Sequence, residues 1–149
     1  MLKSVNRKSP NEQRLTPLLR QGWISLALWI AFGILIEGMI GFRTPALLDD
    51  PMRRDLFRLA HAHGTLLNLV LLVAAICARL DLIAFSRSSS ICLRLAVILL
   101  PVGFLLAGVW HYRDDPGLGI FFVPIGAALL LFAAFGLALS AARRDHSQG

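Results

Sequence analysis

Four apolar stretches, over residues 22–42, 56–79, 91–112 and 118–142, leave this chain few ways to fold. Each is longer than the ~20 residues an α-helix needs to cross the ~30 Å hydrocarbon core of a bilayer. A lipid-facing helix satisfies its own backbone hydrogen bonds, which irregular chain in hydrocarbon cannot do. The expected fold is all-α: a polytopic membrane protein with four transmembrane helices in an antiparallel bundle. Composition agrees, since 56% of the 149 residues are hydrophobic and only 16% are charged. A soluble domain carries about 25% charged residues.

The organisation follows from those stretches. Residues 1–21 read as a basic cytoplasmic tail, in which Pro10 and Pro17 argue against a continuous helix because proline lacks the N–H donor. Residues 22–142 form the membrane domain, and 143–149 a short polar tail. The first connection, 43–55, reads as turns or a short surface helix. Arg87-Ser-Ser-Ser90 reads as a solvated turn. Asp114-Asp115-Pro116-Gly117 reads as a tight turn that makes the last two helices antiparallel neighbours. Pro101 sits near the middle of the third helix, where it removes a backbone donor.

Orientation is read from lysine and arginine, which are retained on the cytoplasmic side. One side holds Lys3, Arg7, Lys8, Arg14, Arg20, Arg79, Arg87, Arg94, Arg143 and Arg144. The other holds Arg43, Arg53, Arg54, Arg58 and Arg113. This places both termini in the cytoplasm and the protein in a bacterial inner membrane. The net charge of +6 is therefore topological. No nucleic-acid-binding motif accompanies it, and nucleic acid is excluded as a partner. Cys77 and Cys92 fall near the inner face, in neither a CxxC nor a ligand spacing, and read as small helix-end residues.

Polar residues inside apolar helices are expensive and mark function. Glu37 lies about one turn from the outer end of the first helix. Arg54, Arg58, His61, Thr65, Asn68 and Leu72 recur every three or four residues, so they share one face of the second helix. That stripe should face the bundle interior. His63 is two residues from His61 and points elsewhere, so an unbroken helix cannot aim both at one metal. His111 closes the third helix within Trp110-His111-Tyr112, an interfacial composition. Together these groups form an outer-leaflet polar pocket, whereas the inner halves of the helices hold almost nothing ionisable.

The pocket admits several chemistries. His61 and His111 could clamp a haem iron between two helices. His61, Glu37 and His111 could ligate a transition metal. His61, His63, His111 and Asn68 could bind a cofactor, quinone or lipid-like ligand, with Arg58 facing a head group. The leading reading is a small membrane binding or accessory protein, with other membrane proteins as candidate partners. A proton- or ion-coupled transporter ranks below it, because the polar path stops short of the inner face. A purely structural subunit of a larger complex is the third reading. No phosphate-binding glycine loop, HExxH or GxSxG occurs, which disfavours a hydrolase and leaves enzymatic activity open.

The segment Arg58-Leu-Ala-His-Ala-His-Gly-Thr-Leu-Leu-Asn68, preceded by Met52-Arg-Arg, resembles a stretch of small four-helix bacterial membrane proteins with no assigned activity. It is also similar to the Ala-His-x-x-Gly segment of hydroxylaminobenzene mutase-like membrane proteins. The glycine falls three residues after His61 in both, and a downstream asparagine is displaced by one. The similarity spans about ten residues, and the mutase activity is not carried over to this chain.

Overall fold

The computed structural model describes residues 10–112 and 115–148, with side chains described over 15–112 and 115–143. Residues 1–9 of the basic tail expected at 1–21, Arg113, Asp114 of the tight turn and the last residue fall outside the described residues, and residues 10–21 belong to α1. The elements are α1 (Pro10–Gly41), a one-turn α2 (Pro45–Leu48), α3 (Pro51–Arg79), α4 (Arg87–Val109), a 3-10 turn (Leu118–Phe121) and α5 (Phe122–Gln148). Among the described residues there is no strand, only an isolated bridge between Tyr112 and Asp115. Four of the helices are long and apolar enough to cross a membrane. The protein is a multi-pass, all-α membrane bundle.

The helices are longer than their apolar stretches, for identifiable reasons. Proline at a first helical position lacks only a donor that would be unpaired anyway. Pro10 opens α1 in this way, and the helix then continues through Pro17. Pro51 likewise opens α3, after Asp50 whose side chain accepts from the Arg53 amide at 2.9 Å. Ser86 caps α4 by accepting from the Ser89 amide at 3.0 Å. The serine run expected as a turn is therefore the first turn of a helix. At the other end α4 stops at Val109, so Trp110, His111 and Tyr112 lie beyond it.

Close approaches at glycines set the register. Gly22 and Gly33 of α1 face Leu72 and His61 of α3. Gly108 of α4 faces Leu56 and Phe57 of α3. Gly126 and Gly136 of α5 face Leu100 and Ser89 of α4. Numbers rise on one helix as they fall on its neighbour, so each consecutive pair is antiparallel. The most apolar stretches of α3 and α4 are 44% buried, against 22% for α1 and 17% for α5. Thus α3 and α4 form the centre, with α1 and α5 as flanks. Ile34, Leu131 and Phe135 on those flanks are more than half exposed, as an apolar face toward lipid requires.

The core gathers Leu18 of α1, Leu67, Leu71 and Ala75 of α3, Leu93 and Val97 of α4, and Ala133 of α5. It lies in the half of the bundle nearer the two tails. The opposite, distal half is more open along the α1–α3 seam. The functional candidates lie there.

Candidate functional site

Helices α1 and α3 interlock through two ring-on-glycine contacts. The His61 imidazole lies over Gly33, and the Trp29 indole lies over Gly64. A β-carbon at either glycine would overlap the ring opposite. Glycine lets the two backbones approach closely enough for each ring to bridge the seam. His61 Nδ1 then donates to the Trp29 carbonyl at 2.8 Å. A carbonyl can only accept, so in this bond a proton sits on Nδ1, and in the neutral ring Nε2 then carries the lone pair. The Thr65 hydroxyl is 3.5 Å from the same nitrogen, at the limit of hydrogen bonding.

Beside this joint a groove of about 620 Å³ opens between α1 and α3. Its wall includes Ile30, Gly33, Ile34, Glu37, Arg58 and His61. The antiparallel register puts Glu37 at the level of Arg58. Among the described residues no ion pair within 4 Å joins them or commits either elsewhere. His61 lies ten residues into α3, about 15 Å from its start at 1.5 Å per residue. The site is thus an apolar cleft carrying one imidazole, one carboxylate and one guanidinium.

Asn68 is the deepest member of the polar stripe and is fully buried. Its Nδ2 donates to the Gly64 carbonyl at 2.7 Å. Its Oδ1 is buried with no partner among the described residues. A buried acceptor without a donor costs about 1–3 kcal/mol. Beyond Asn68, toward the tails, Leu71, Leu72, Ala75 and Ala78 are all buried, and the polar stripe ends.

The remaining histidines take other partners. His63 turns toward α4, with its ring 5.0 Å from that of Phe104 and Nδ1 donating to the Leu59 carbonyl at 2.9 Å. His111 sits past the end of α4, with Nε2 2.7 Å from Asp50 Oδ2. Asp50 precedes α3, so His111 and His61 occupy levels roughly 15 Å apart along that helix. The structure brings together His61, Glu37 and Arg58, places Asn68 two turns deeper on the same stripe, and sets His63 and His111 apart. Among the described residues no three His, Cys, Asp or Glu side chains are grouped to hold a metal ion. Cys77 and Cys92 are both free.

Two parts of this arrangement were not visible as site residues in the sequence. Trp29 and Gly33 reach His61 only through the antiparallel register. The distal clasp is the other part: Arg53 donates to the Gly108 carbonyl at 3.2 Å and the Ala46 carbonyl at 3.3 Å, and pairs with Asp50 at 3.5 Å. The Asp50-Pro51 dipeptide, an N-cap followed by a first-turn proline, was the available signal.

The clasp also sets the charge on Asp50. Burial raises its pKa. The Arg53 backbone amide and the positive charges of His111 and Arg53 outweigh that and hold the carboxyl below its ordinary 3.8. Comparisons of the chain with protein families, with curated proteins and with solved structures find no match.

Proposed function

We propose that the protein is a small membrane-embedded binding or accessory subunit whose distal groove holds a quinone- or lipid-like amphiphile. One observation carries the reading: His61, Glu37 and Arg58 share a groove of about 620 Å³ whose other walls are apolar, and the two charges are not spent on each other. Small-molecule sites are typically apolar clefts with a few convergent polar groups. An amphiphile reaching the groove from the bilayer would lay its apolar body along Ile30 and Ile34. Its polar head would meet the Arg58 donors, His61 Nε2 as acceptor and Glu37 as proton acceptor.

Residue charge supports an orientation with both tails cytoplasmic, which puts the groove in the outer leaflet of a bacterial inner membrane. The end of the polar stripe at Asn68 favours binding over ion-coupled transport. A haem or single-metal role for His61 has one observation in its favour. A carbonyl bond to Nδ1 is the contact that usually orients a metal-ligating histidine and exposes Nε2.

The test uses full-length protein in mild detergent. A short-chain ubiquinone analogue should quench tryptophan fluorescence saturably. Arg58→Gln and His61→Ala should weaken that quenching about tenfold or more, while far-ultraviolet circular dichroism stays unchanged. Equal quenching by wild type and both variants would sink the quinone-like reading. Lipids co-purifying with wild type and missing from both variants would identify a lipid-like occupant instead. A Soret band or stoichiometric metal lost in His61→Ala would replace both with the haem or metal reading.

A further inference from the structure

At the tail end of the bundle, α1 and α4 meet through one polar clasp. The Gln21 amide donates to the Arg94 carbonyl at 3.1 Å, and Arg94 Nε donates to Gln21 Oε1 at 2.6 Å. Clefts open on either side of the clasp, of about 370 Å³ and about 280 Å³. Arg94 borders both, Arg87 borders the larger and Arg20 the smaller. The clasp uses Arg94 Nε and so holds the guanidinium in place. Among the described residues neither a hydrogen bond nor an ion pair engages its terminal nitrogens. Arg20 and Arg87 likewise have no carboxylate within ion-pairing distance among the described residues.

The clefts are apolar beneath their charged rim. Ile91 of α4 lies in the larger, 47% exposed. Ile24 and Leu28 of α1 lie in the smaller with Ile98 of α4, and all three are more than 40% exposed. Arg20 and Arg94 share one level across the seam, and Arg87 lies about two turns nearer the tails on α4, so cations rim an apolar furrow that runs into the membrane. An arginine fork matches phosphate oxygens in a way a point charge does not.

We infer that this seam is a binding site for an anionic phospholipid. Its phosphate is held between Arg94 and Arg20, Arg87 adds charge over the head group about two turns nearer the tails, and an acyl chain lies along Ile24, Leu28 and Ile98. The site is separate from the distal groove and does not depend on what that groove binds. It adds a lipid that holds α1 to α4 beside the Gln21–Arg94 clasp.

The test compares the thermal stability of the full-length detergent-solubilised protein with added phosphatidylglycerol, phosphatidylcholine or inorganic phosphate. Native mass spectrometry counts the lipids retained. Phosphatidylglycerol should raise Tm and be retained in preference to phosphatidylcholine. Arg20→Gln/Arg87→Gln, which leaves the clasp intact, should weaken retention by about fivefold per arginine removed. Arg94→Gln should weaken it further. Arg43→Gln/Arg54→Gln removes the same charge at the distal end and should leave the preference intact.

Equal retention of the two lipids would overturn the inference, as would a preference that survives in Arg20→Gln/Arg87→Gln. A Tm rise with inorganic phosphate equal to that with phosphatidylglycerol would assign the arginines to a free anion and overturn the lipid.

Discussion

His111 Nε2 lies 2.7 Å from Asp50 Oδ2, while Asp50 Oδ1 accepts the Arg53 amide that opens α3. One carboxylate therefore ties the chain after α4 to the first turn of α3. The link lies outside the apolar spans, where protons reach it freely.

The sign of its pH dependence follows from the Asp50 carboxyl, which is held below its ordinary 3.8. A depressed native pKa means the unfolded chain takes up the proton first as pH falls. The contribution is complete above about pH 3.8 and is lost as pH drops through the lower native value. Thermal melts should show this part of Tm flat from neutral pH to the ordinary carboxylate value, then falling. Asp50→Asn keeps an oxygen for the cap and removes the charge, so its acid-dependent loss should be smaller. Asp50→Ala also loses the cap, at about 1 kcal/mol at neutral pH. An identical acid profile in wild type and Asp50→Asn would show that the clasp contributes nothing.

The ring-on-glycine joint predicts a paired effect. Gly64→Ala drives a methyl into the Trp29 indole, and Gly33→Ala drives one into the His61 imidazole. Each should destabilise by about 1–3 kcal/mol through overpacking, although alanine is the better helix former. Gly38, with no neighbour within 4 Å of its would-be β-carbon, is the control. Gly38→Ala should be neutral or stabilising by up to about 1 kcal/mol. Melts in one detergent decide this, and equal effects at all three glycines would remove the joint from the account.

The four spans could be read from apolar length alone, because a bilayer tolerates few alternatives. The face of α3 carrying His61, Thr65 and Asn68 could also be read, since helical spacing depends only on sequence distance. The helix ends were harder. Ser86 and Asp50 are capping residues whose role depends on the backbone amide three residues on turning toward each, and a run of serines reads equally well as a loop. Hardest were contacts across helices. His61 meets Trp29 32 residues away, and His111 meets Asp50 from the far end of the α3–α4 helix pair. Such pairs depend on register, which glycines set by shape and which no local periodicity encodes.

Asn68 offers a test of what the polar stripe is for. Its Oδ1 is buried without a partner among the described residues, so as a packing element it is a liability. Asn68→Leu replaces it with an apolar side chain of the same branching, though larger, and leaves the Gly64 carbonyl its helical bond. If Asn68 is kept for a ligand or a bound water, the variant should gain about 1 kcal/mol in stability while binding to the groove weakens. A loss of 2 kcal/mol or more would mean the amide is needed for packing.

The ends of α1 and α3 provide the last contrast. Each closes with a residue in the left-handed region, Arg43 at φ 55° and Asp81 at φ 58°. In both, the next amide reaches back five residues: Thr44 to Met39 and Leu82 to Cys77, each at 2.9 Å. Glycine is the residue that adopts this backbone without cost, and aspartate visits it more readily than a long side chain does. Arg43→Gly should therefore raise stability by about 1 kcal/mol, and Asp81→Gly by less. Both termini keep their hydrogen bonds in the variants, so the gain reflects relief of the backbone conformation offset by glycine's greater freedom when unfolded. A larger gain at 81 than at 43 would mean that side-chain contacts, rather than φ, decide these two ends.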